Sequence, residues 1–267
     1  MNSKAPLSET PCLSVRDLTV AYGDYVLMRD VSFDVRGGDI FFIMGGSGCG
    51  KSTLLRVLMG LKAPGRGRVL YGGRDFWSAG EEARRRLMRG VGVLFQSGAL
   101  WSSMTLAENV GLPLQLYTDL GEAEIRELAS LKLALAGLAG FEDYYPSEIS
   151  GGMRKRAGLA RALALDPAIL FLDEPSAGLD PVSSRLLDDL ILELRDTLGT
   201  TFVIVSHELA SIFAIATNGI FLDAASRTVT ARGNPQAMLR DPGAASGARN
   251  FLTRGGEGRE TPERAAP

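Results

Sequence analysis

The fold is indicated most directly by one stretch, Ile40-Phe-Phe-Ile-Met44-Gly45-Gly-Ser-Gly-Cys-Gly50-Lys51-Ser52. Its first five residues are apolar, as in a strand that is covered on both faces of a parallel sheet. The residues from Lys51 to about Leu61 predict a helix. Between strand and helix, Gly45 to Ser52 satisfies the pattern GxxxxGK[ST], which in this position is typical of a loop that binds phosphates.

The chemistry of such a loop explains its residue types. Glycines let successive backbone N–H groups turn toward phosphate oxygens, and the helix N-terminus adds its positive dipole end. We expect Lys51 to bridge the β- and γ-phosphates of a nucleotide and the Ser52 hydroxyl to ligate Mg²⁺. A glycine-rich turn with a chance lysine is the alternative, which the flanking strand and helix disfavour. The predicted nucleotide contacts are Gly45, Gly46, Ser47, Gly48, Cys49, Gly50, Lys51, Ser52 and Thr53.

A second buried strand is predicted at Ala168 to Leu172, and two acidic residues follow it directly. Adjacent carboxylates at a strand end are costly unless a cation compensates them. We expect Asp173 to hold Mg²⁺ through water and Glu174 to polarise the water that attacks the γ-phosphate. An apolar run before Asp-Glu is weak evidence alone, but it is strong evidence beside the glycine loop.

Composition excludes several functional classes. The 267 residues carry 29 Lys plus Arg against 31 Asp plus Glu, and 45% are hydrophobic, which is ordinary globular composition rather than that of a disordered or nucleic-acid-coating chain. Cys12 and Cys49 are too few for a disulfide framework, and there is no CxxC pair for structural zinc. Because no long apolar window and no export signal are present, we expect neither a membrane span nor secretion. Association with a membrane protein stays open.

The order of the remaining patterns predicts an α/β fold. Period-2 alternation from Leu13 to Val35 indicates a small N-terminal antiparallel sheet. A predicted helix at Met153–Leu165, followed by strands that alternate with helices, indicates a mainly parallel sheet. Leucine and alanine at helical spacing predict a helical insertion. We expect one domain over residues 12–240, with a helical subdomain at about 97–157. The tail 241–267 is predicted to be loose, with Phe251-Leu252 as its apolar anchor.

Several further motifs, in one order, resemble the ATP-binding-cassette ATPases over about residues 12–240. The resemblance implies that family's nucleotide-binding domain, with a RecA-like sheet, an N-terminal antiparallel β subdomain and an inserted helical subdomain, and it implies ATP and Mg²⁺ as ligands. Without the other motifs, each of three residues has an ordinary alternative: Tyr22 as a surface aromatic residue, Gln96 as a loop amide and His207 as a capping or core residue. The motif-bearing residues are Tyr22, Gln96, Ile149-Ser-Gly-Gly-Met153, Ala177-Gly-Leu-Asp180 and His207, the only histidine.

The resemblance also implies a role for each motif. Tyr22 would stack on adenine, Gln96 would touch Mg²⁺ and the attacking water, and His207 would contact the γ-phosphate. Ser150, Gly151 and Gly152 would bind the γ-phosphate of an ATP held by another chain, and Asp180 lies in the loop that crosses to that chain. Two copies are therefore expected head to tail around two ATP molecules. The expected catalytic set is Glu174, His207 and Gln96, and the expected metal set is Ser52, Gln96 and Asp173.

Met153 and Ile149 depart from the LSGGQ signature of the wider family. Together with the runs Phe95–Asn109 and Glu174–Val182, they resemble the ATPases of Mla-type lipid-transport systems, the MlaF-like group. This implies a peripheral subunit on the cytoplasmic face of the bacterial inner membrane, powering phospholipid transport between inner and outer membranes. The implied partners are an MlaE-like permease, an MlaD-like protein of the mammalian-cell-entry (MCE) type and an MlaB-like STAS-domain protein, but no nucleic acid.

An apolar group just after Gln96 is the expected contact of the permease, with Trp101 as its anchor. Packing inside the helical subdomain is the alternative for these side chains, which are Ala99, Leu100, Trp101 and Met104. Two other functions use the same phosphate chemistry. One is a soluble assembly switch of the iron–sulfur scaffold type, and the other is an importer ATPase for a polar solute.

Overall fold

Two sheets lie at the centre of the computed structural model, which describes residues 10–241 and 245–253. An antiparallel sheet has the strand order β2-β1-β4-β5, and a six-stranded sheet has the order β10-β9-β3-β8-β7-β6. In the larger sheet every neighbouring pair is parallel except β9 with β10. The strands are β1 Leu13–Tyr22, β2 Tyr25–Val35, β3 Ile40–Met44, β4 Arg66–Tyr71, β5 Arg74–Asp75, β6 Val91–Leu94, β7 Ile169–Asp173, β8 Thr201–Val205, β9 Asn218–Asp223 and β10 Thr228–Arg232.

Helices cover the larger sheet and fill the segment between β6 and β7. They are α1 Lys51–Leu58, α2 Glu81–Arg89, α3 Leu106–Tyr117, α4 Glu122–Leu135, α5 Gly151–Ala162, α6 Pro181–Leu198, α7 Leu209–Ile215, α8 Pro235–Arg240 and α9 Ser246–Thr253. The three helices α3, α4 and α5 pack on one another. The α/β class, the N-terminal antiparallel sheet and the inserted helices predicted from the sequence are confirmed.

Strand β3 has one core on each of its faces. Ile40, Phe42 and Met44 belong to the core formed with the helices, whereas Phe41 and Ile43 face the core between the two sheets. Phe41 stacks on Phe33 with ring centroids 5.3 Å apart. A strand buried on both faces cannot alternate apolar with polar residues, which explains the continuous apolar run.

Helix boundaries follow local signals. Asp180 caps α6 by accepting from the N–H groups of Val182 and Ser183, each at 3.0 Å, and Gly199 ends the helix at φ 70°. Two predicted boundaries are wrong by about one turn. Helix α1 ends at Leu58 rather than Leu61, and α5 spans Gly151–Ala162 rather than Met153–Leu165, because Ser150 caps its first turn.

The tail differs from the predicted loose segment at residues 246–253. These residues form α9, where Ala248 and Leu252 are 0% and 1% exposed. The ring of Phe251 lies 5.4 Å from that of Phe221 on β9. Phe251 and Leu252 therefore pack against the fold as the predicted apolar anchor, within a helix that the sequence did not indicate. The predictions for 242–244 and 254–267 lie outside the described residues. Within the described ranges no helix is both long and apolar enough to cross a membrane.

Candidate active site

The functional candidates meet at one edge of the larger sheet. Parallel strands end at the same edge, so the loops that follow β3, β6, β7 and β8 come together there. Three of these loops begin with Gly45, Glu174 and Ser206-His207, and Gln96 is the second residue after β6. The topology therefore assembles residues that lie far apart in the sequence.

The glycine loop requires glycine at two of its positions. At Gly45, φ is 154°, and a Cβ would lie 2.4 Å from the Leu222 carbonyl oxygen and 2.6 Å from Cys49 Sγ. Gly50 precedes α1 with φ 101° and has no side chain to cap the helix. The first N–H groups of α1 therefore point toward the loop, where an anion can accept from them.

Lys51 and Ser52 start α1 and are held by the surrounding main chain and by Asp173. The Lys51 ammonium donates to the carbonyl oxygens of Gly45 at 2.8 Å and Gly46 at 3.0 Å, so it lies across the loop. Ser52 Oγ donates to Asp173 Oδ1 at 3.1 Å. The loop on β3 and the strand end of β7 are thus joined directly.

Glu174 and His207 form the second half of the site. Glu174 Oε1 lies 2.9 Å from His207 Nδ1, and the Glu174 main-chain N–H donates to the Val205 carbonyl at 2.8 Å. Glu174 has φ 48°, an uncommon conformation for a residue with a side chain. Its Oε2 atom is buried and has no hydrogen-bond partner among the described residues. A buried, unsatisfied carboxylate oxygen is costly in a folded chain, and a water or substrate proton would satisfy it.

The oxygen donors at this edge fit Mg²⁺ bound together with a nucleotide. Ser52 Oγ and Asp173 Oδ1 adjoin each other, and Gln96 lines the same cavity. Within residues 10–241 and 245–253 no group of three His, Cys, Asp or Glu side chains could hold a metal alone. Magnesium prefers oxygen ligands and takes few from the protein when phosphates supply the rest. The residues present are therefore compatible with this ion.

One cavity of about 820 Å³ brings together most of the predicted site residues. From the predicted set it is lined by Tyr22, Gly45, Gly46, Ser47, Gly48, Gly50, Lys51, Ser52, Thr53, Gln96, Glu174 and His207. The ammonium of Lys62 lies 3.9 Å from the ring centroid of Tyr22, so a cation already rests on this aromatic ring. The Cys49 side chain is 3% exposed, and burial raises the pKa of its thiol.

A second group of predicted residues does not line this cavity. Ser150 and Gly151 are exposed at the start of α5, where Ser150 Oγ accepts from the Met153 N–H at 3.2 Å. Asp180 is also exposed, and hydrogen bonds, first that from the Ser183 hydroxyl, lower its pKa. A Cβ on Gly152 would lie 3.1 Å from Ser183 Oγ, so the α5 and α6 starts are neighbours. Together these residues, Ser150–Gly152 and Asp180, form a surface that is separate from the glycine loop.

Sequence reasoning missed several residues of the cavity wall. Tyr25, Leu27, Leu209 and Phe251 also line it. Tyr25 and Leu27 belong to the strand after Tyr22, and Leu209 follows His207 by two positions, so proximity in sequence could have indicated them. Phe251 was expected only as an apolar anchor of the tail, and it reaches the cavity because α9 packs on β9.

The loop after Gln96 is shaped by buried polar groups. Asn109 is fully buried; its Oδ1 accepts from the Trp101 N–H at 2.7 Å, and its Nδ2 donates to the Trp101 carbonyl at 3.0 Å. Arg161 on α5 donates to the carbonyls of Ala99 at 2.6 Å and Gly98 at 3.1 Å. The Trp101 side chain stays 59% exposed. The main chain is therefore anchored while an aromatic side chain is presented outward.

A glycine loop between a buried strand and a helix, beside a strand that ends in two carboxylates, defines a P-loop nucleoside triphosphatase. Residues 28–177 match the family described as ABC transporter. The intermembrane phospholipid transport system ATP-binding protein MlaF of Haemophilus influenzae is 37% identical over 85% of this chain and 86% of its own length. The probable ribonucleotide transport ATP-binding protein mkl of Mycobacterium leprae is 44% identical over 74% of this chain, but the match spans only 57% of that protein.

Solved structures agree with this classification. The cbiO1 protein of Clostridium perfringens, part of the ABC transporter complex cbiONQ, superimposes with a TM-score of 0.80 and 28% identity over 87% of this chain and 92% of its own. A dimeric ATP-binding cassette in a post-hydrolysis state, bound to ADP and Pi, superimposes with a TM-score of 0.75. It is 28% identical over 83% of this chain and 98% of its own. The chain belongs to the ABC transporter family.

Proposed function

We propose that this chain is the ATPase subunit of a transport complex that moves phospholipids between the inner and outer bacterial membranes. The observation that carries the proposal is the 37% identity to a phospholipid transport ATP-binding protein along 86% of that protein's length. The assembled phosphate site supports it, because such a subunit must bind and hydrolyse ATP. The chain would act at the cytoplasmic face of the inner membrane.

In the proposed hydrolysis, Glu174 is the general base. His207 lies 2.9 Å from one Glu174 oxygen and orients the carboxylate, whose second oxygen is free to accept a proton from water. Lys51 and the glycine-loop N–H groups neutralise charge that develops on the phosphates. Mg²⁺, held by Ser52, Gln96 and Asp173, would supply further charge stabilisation when bound.

The adenine of ATP would stack on Tyr22 in the same cavity, on the ring face opposite Lys62. The phosphates would be contacted, through the main chain or a hydroxyl, by the remaining loop residues: Gly45, Gly46, Ser47, Gly48, Cys49, Gly50 and Thr53. Within the chain, residues 12–240 would form the cassette, 97–157 its helical subdomain and 241–267 a tail.

The working unit would be a head-to-tail dimer. The surface at Ser150–Gly152 and Asp180 carries hydrogen-bonding groups that the chain's own cavity does not use, which favours a role against a second copy. Each ATP would then be clamped between the glycine loop of one chain and the α5 start of the other. The dimeric cassette bound to ADP and Pi is a precedent for such pairing in a related fold.

A membrane permease of the MlaE type would dock beside the loop that follows Gln96. Trp101 is the exposed anchor there, and a neighbouring cavity of about 570 Å³ lies between α2, α3 and α5. Four guanidinium groups border that cavity together with Glu81; one of them is paired with Glu81 and one donates to main-chain carbonyls. They belong to Arg84, Arg85, Arg89 and Arg161. MlaD-like and MlaB-like proteins would complete the complex through the permease or directly.

Transport of a polar solute is a second candidate, because the mycobacterial relatives are named as ribonucleotide transport proteins. It has the weaker support, since the match spans 57% of the length of the Mycobacterium leprae protein. A soluble assembly switch has no specific observation in its favour. Purification of the chain with its permease from detergent-solubilised membranes separates these functions. Transfer of labelled phospholipid between vesicles, dependent on ATP, is the expected result, and transfer of a nucleotide instead would contradict the proposal.

Glu174→Gln tests the proposed chemistry. Without a general base, we expect ATP hydrolysis to fall by at least about 100-fold, while ATP and Mg²⁺ bind and hold two chains together. Hydrolysis is measured as phosphate release, and dimer formation by size-exclusion chromatography with light scattering. Glu208→Gln is the matched control, because its carboxylate lies 3.7 Å from the other ring nitrogen of His207. Wild-type hydrolysis by Glu174→Gln would show that another group is the base.

A further inference from the structure

Helix α5 carries a row of cationic side chains that donate to main-chain carbonyls of other segments. Arg154 donates to Ile149 O at 2.7 Å, and Arg156 donates to Ala136 O at 3.0 Å and Gly137 O at 2.9 Å. Arg161 reaches the loop after Gln96, as described above. The helix that begins at Ser150 is thus connected to the end of α4 and to the edge of the active site.

Lys155 is the member of this row that points into the catalytic edge. Its side chain is buried, with the residue 6% exposed, and its ammonium donates to the carbonyl oxygen of Gln96 and, at 3.3 Å, to that of Glu174. Burial lowers the pKa of Lys155, and the nearby charges of Asp173 and Glu174 oppose that shift. A buried ammonium is costly unless its N–H groups are hydrogen-bonded, and these two carbonyls accept from two of the three.

The two carbonyls belong to the segments that carry the proposed water-positioning amide and the proposed base. Glu174 sits in an uncommon φ 48° conformation, so its side-chain direction depends on what holds its main chain. Its N–H is held by Val205 O, and its C=O by Lys155. Gln96 follows the short strand β6 and has an exposed side chain, so its main-chain anchor limits where the amide can reach.

We propose that Lys155 is a positioning residue for hydrolysis: its ammonium holds the Gln96 and Glu174 main chains together and links both to the helix that starts at Ser150. The inference rests on the roles proposed above for Gln96 and Glu174. Movement of α5, whose exposed start would contact the ATP of a second chain, would be transmitted by Lys155 to the residues that surround the attacking water. Lys155 itself does not contact the reacting atoms.

Lys155→Met tests this, since methionine keeps the length and apolar character of the side chain but has no ammonium. In the complete ATPase we expect kcat to fall about 10- to 100-fold, because small displacements of catalytic groups have effects of this size. The KM for ATP should change less than about threefold, because the glycine loop is untouched. The Mg²⁺ concentration for half-maximal rate should rise, because Gln96 loses its anchor. Lys155→Arg, which keeps a charged donor, should retain most of the wild-type kcat.

Lys132→Met is the matched control. Lys132 is also a buried lysine in the helical region, but its ammonium pairs with Asp166 at 2.5 Å instead of with the segments of Gln96 and Glu174. Both methionine variants are compared by thermal unfolding and by binding of a fluorescent ATP analogue. If Lys155→Met does not fold, Lys155→Gln, with a neutral donor, replaces it.

A Lys155→Met enzyme with wild-type kcat and Mg²⁺ dependence would overturn the inference. So would equal losses of kcat in Lys155→Met and Lys132→Met that track their unfolded fractions. Glu174→Gln, assayed in parallel, separates this failure from that of the proposed function. If Glu174→Gln is inactive while Lys155→Met is fully active, only the positioning role is wrong; if Glu174→Gln is active, the assignment of the base is wrong.

Discussion

The glycine loop and the start of α5 are both helix N-termini that offer backbone N–H groups, yet their surroundings differ. The glycine loop is enclosed: Gly45 contacts β9 closely, Lys51 spans the loop, and Ser52 reaches Asp173. The start of α5 is exposed, and its cap Ser150 is bonded only within its own turn, to Met153. One region has its chemical partners within the chain, while the other presents its groups outward.

In the proposed head-to-tail dimer, this difference would give each chain one complete phosphate-binding region and one exposed surface for the ATP of its partner. The half that needs exact orientation of several groups is assembled by the parallel strands, whose ends are rigidly spaced. The region that can be left at the surface is a helix start, where Ser150 caps the first turn locally while the rest of α5 packs in the fold. Activity would then depend on bringing a second chain to the exposed half.

Lys51→Ala is expected to have the largest effect, because it removes the cation of the enclosed half. We expect nucleotide affinity to fall by at least about 100-fold, as when one partner of a buried charge pair is truncated, and hydrolysis to be abolished. Titration with a fluorescent ATP analogue measures the affinity, with Lys132→Ala as the control. Unchanged affinity in Lys51→Ala would contradict the assignment of this loop as the phosphate cradle.

Ser150→Arg perturbs the exposed half and should leave the enclosed half intact. In the Glu174→Gln background, we expect monomer affinity for ATP to stay within about threefold of the parent, while the ATP-dependent dimer is lost. The helix loses a cap worth about 1 kcal/mol, so thermal unfolding is measured alongside light scattering. Ser147→Arg, at an exposed position before the motif, is the control. A stable ATP-dependent dimer of the Ser150→Arg variant would show that the exposed start of α5 does not contact the second chain.

The smallest effect is expected from Asp188→Asn on α6, the helix that starts at the exposed half. Burial, with the charge of Asp189 nearby, raises the pKa of Asp188 to about 6. Because the folded-state pKa is above the unfolded value, the favourable contribution of this group exists below about pH 4 and is lost as pH rises through about 6. At pH 7.5 the substitution should raise the free energy of unfolding by about 1 kcal/mol, since Asp188 is only partly buried.

That gain should vanish near pH 4, and hydrolysis should not change. Urea unfolding at both pH values measures the free energy, and Glu193→Gln on the same helix is the control. A destabilised Asp188→Asn variant at pH 7.5 would show that the charge is used by a partner within the fold. A change in hydrolysis would show that α6 takes part in the site beyond carrying Asp180.

Much of the fold was predictable because its signals are local. The apolar runs of β3 and β8, the Asp180-Pro181 start of α6 and the alternation in β1 each depend on neighbouring residues. The ends of the helices were less predictable, since several residues near a cap such as Ser150 could also cap the helix. Helix α9 was missed because Ala248, Phe251 and Leu252 acquire their stability from the packed sheet and not from their own segment.

The candidate site also contains residues that the sequence indicated and residues that only the structure revealed. The residues of the glycine loop, Asp173 and Glu174 were found from motifs, and their roles stay predictions that the proposed variants test. Lys155 carried no motif, because a lysine in a helix is ordinarily a solvated residue. Phe251 was recognised only as an apolar anchor, because the sequence gives no neighbour for it. Only the crossing of α5 past β6 and β7 gives the Lys155 ammonium two carbonyls to bind.

By itself, the sequence determined the class of chemistry and the α/β order, because phosphate-binding loops, buried strands and capped helices are short-range patterns that need few neighbours. The tertiary structure decided which distant groups share one cavity, which helix start stays exposed and which buried cation joins the site. Those outcomes depend on sheet order and on long-range packing, where the contacting residues are separated by tens to hundreds of positions. No local pattern encodes such separations.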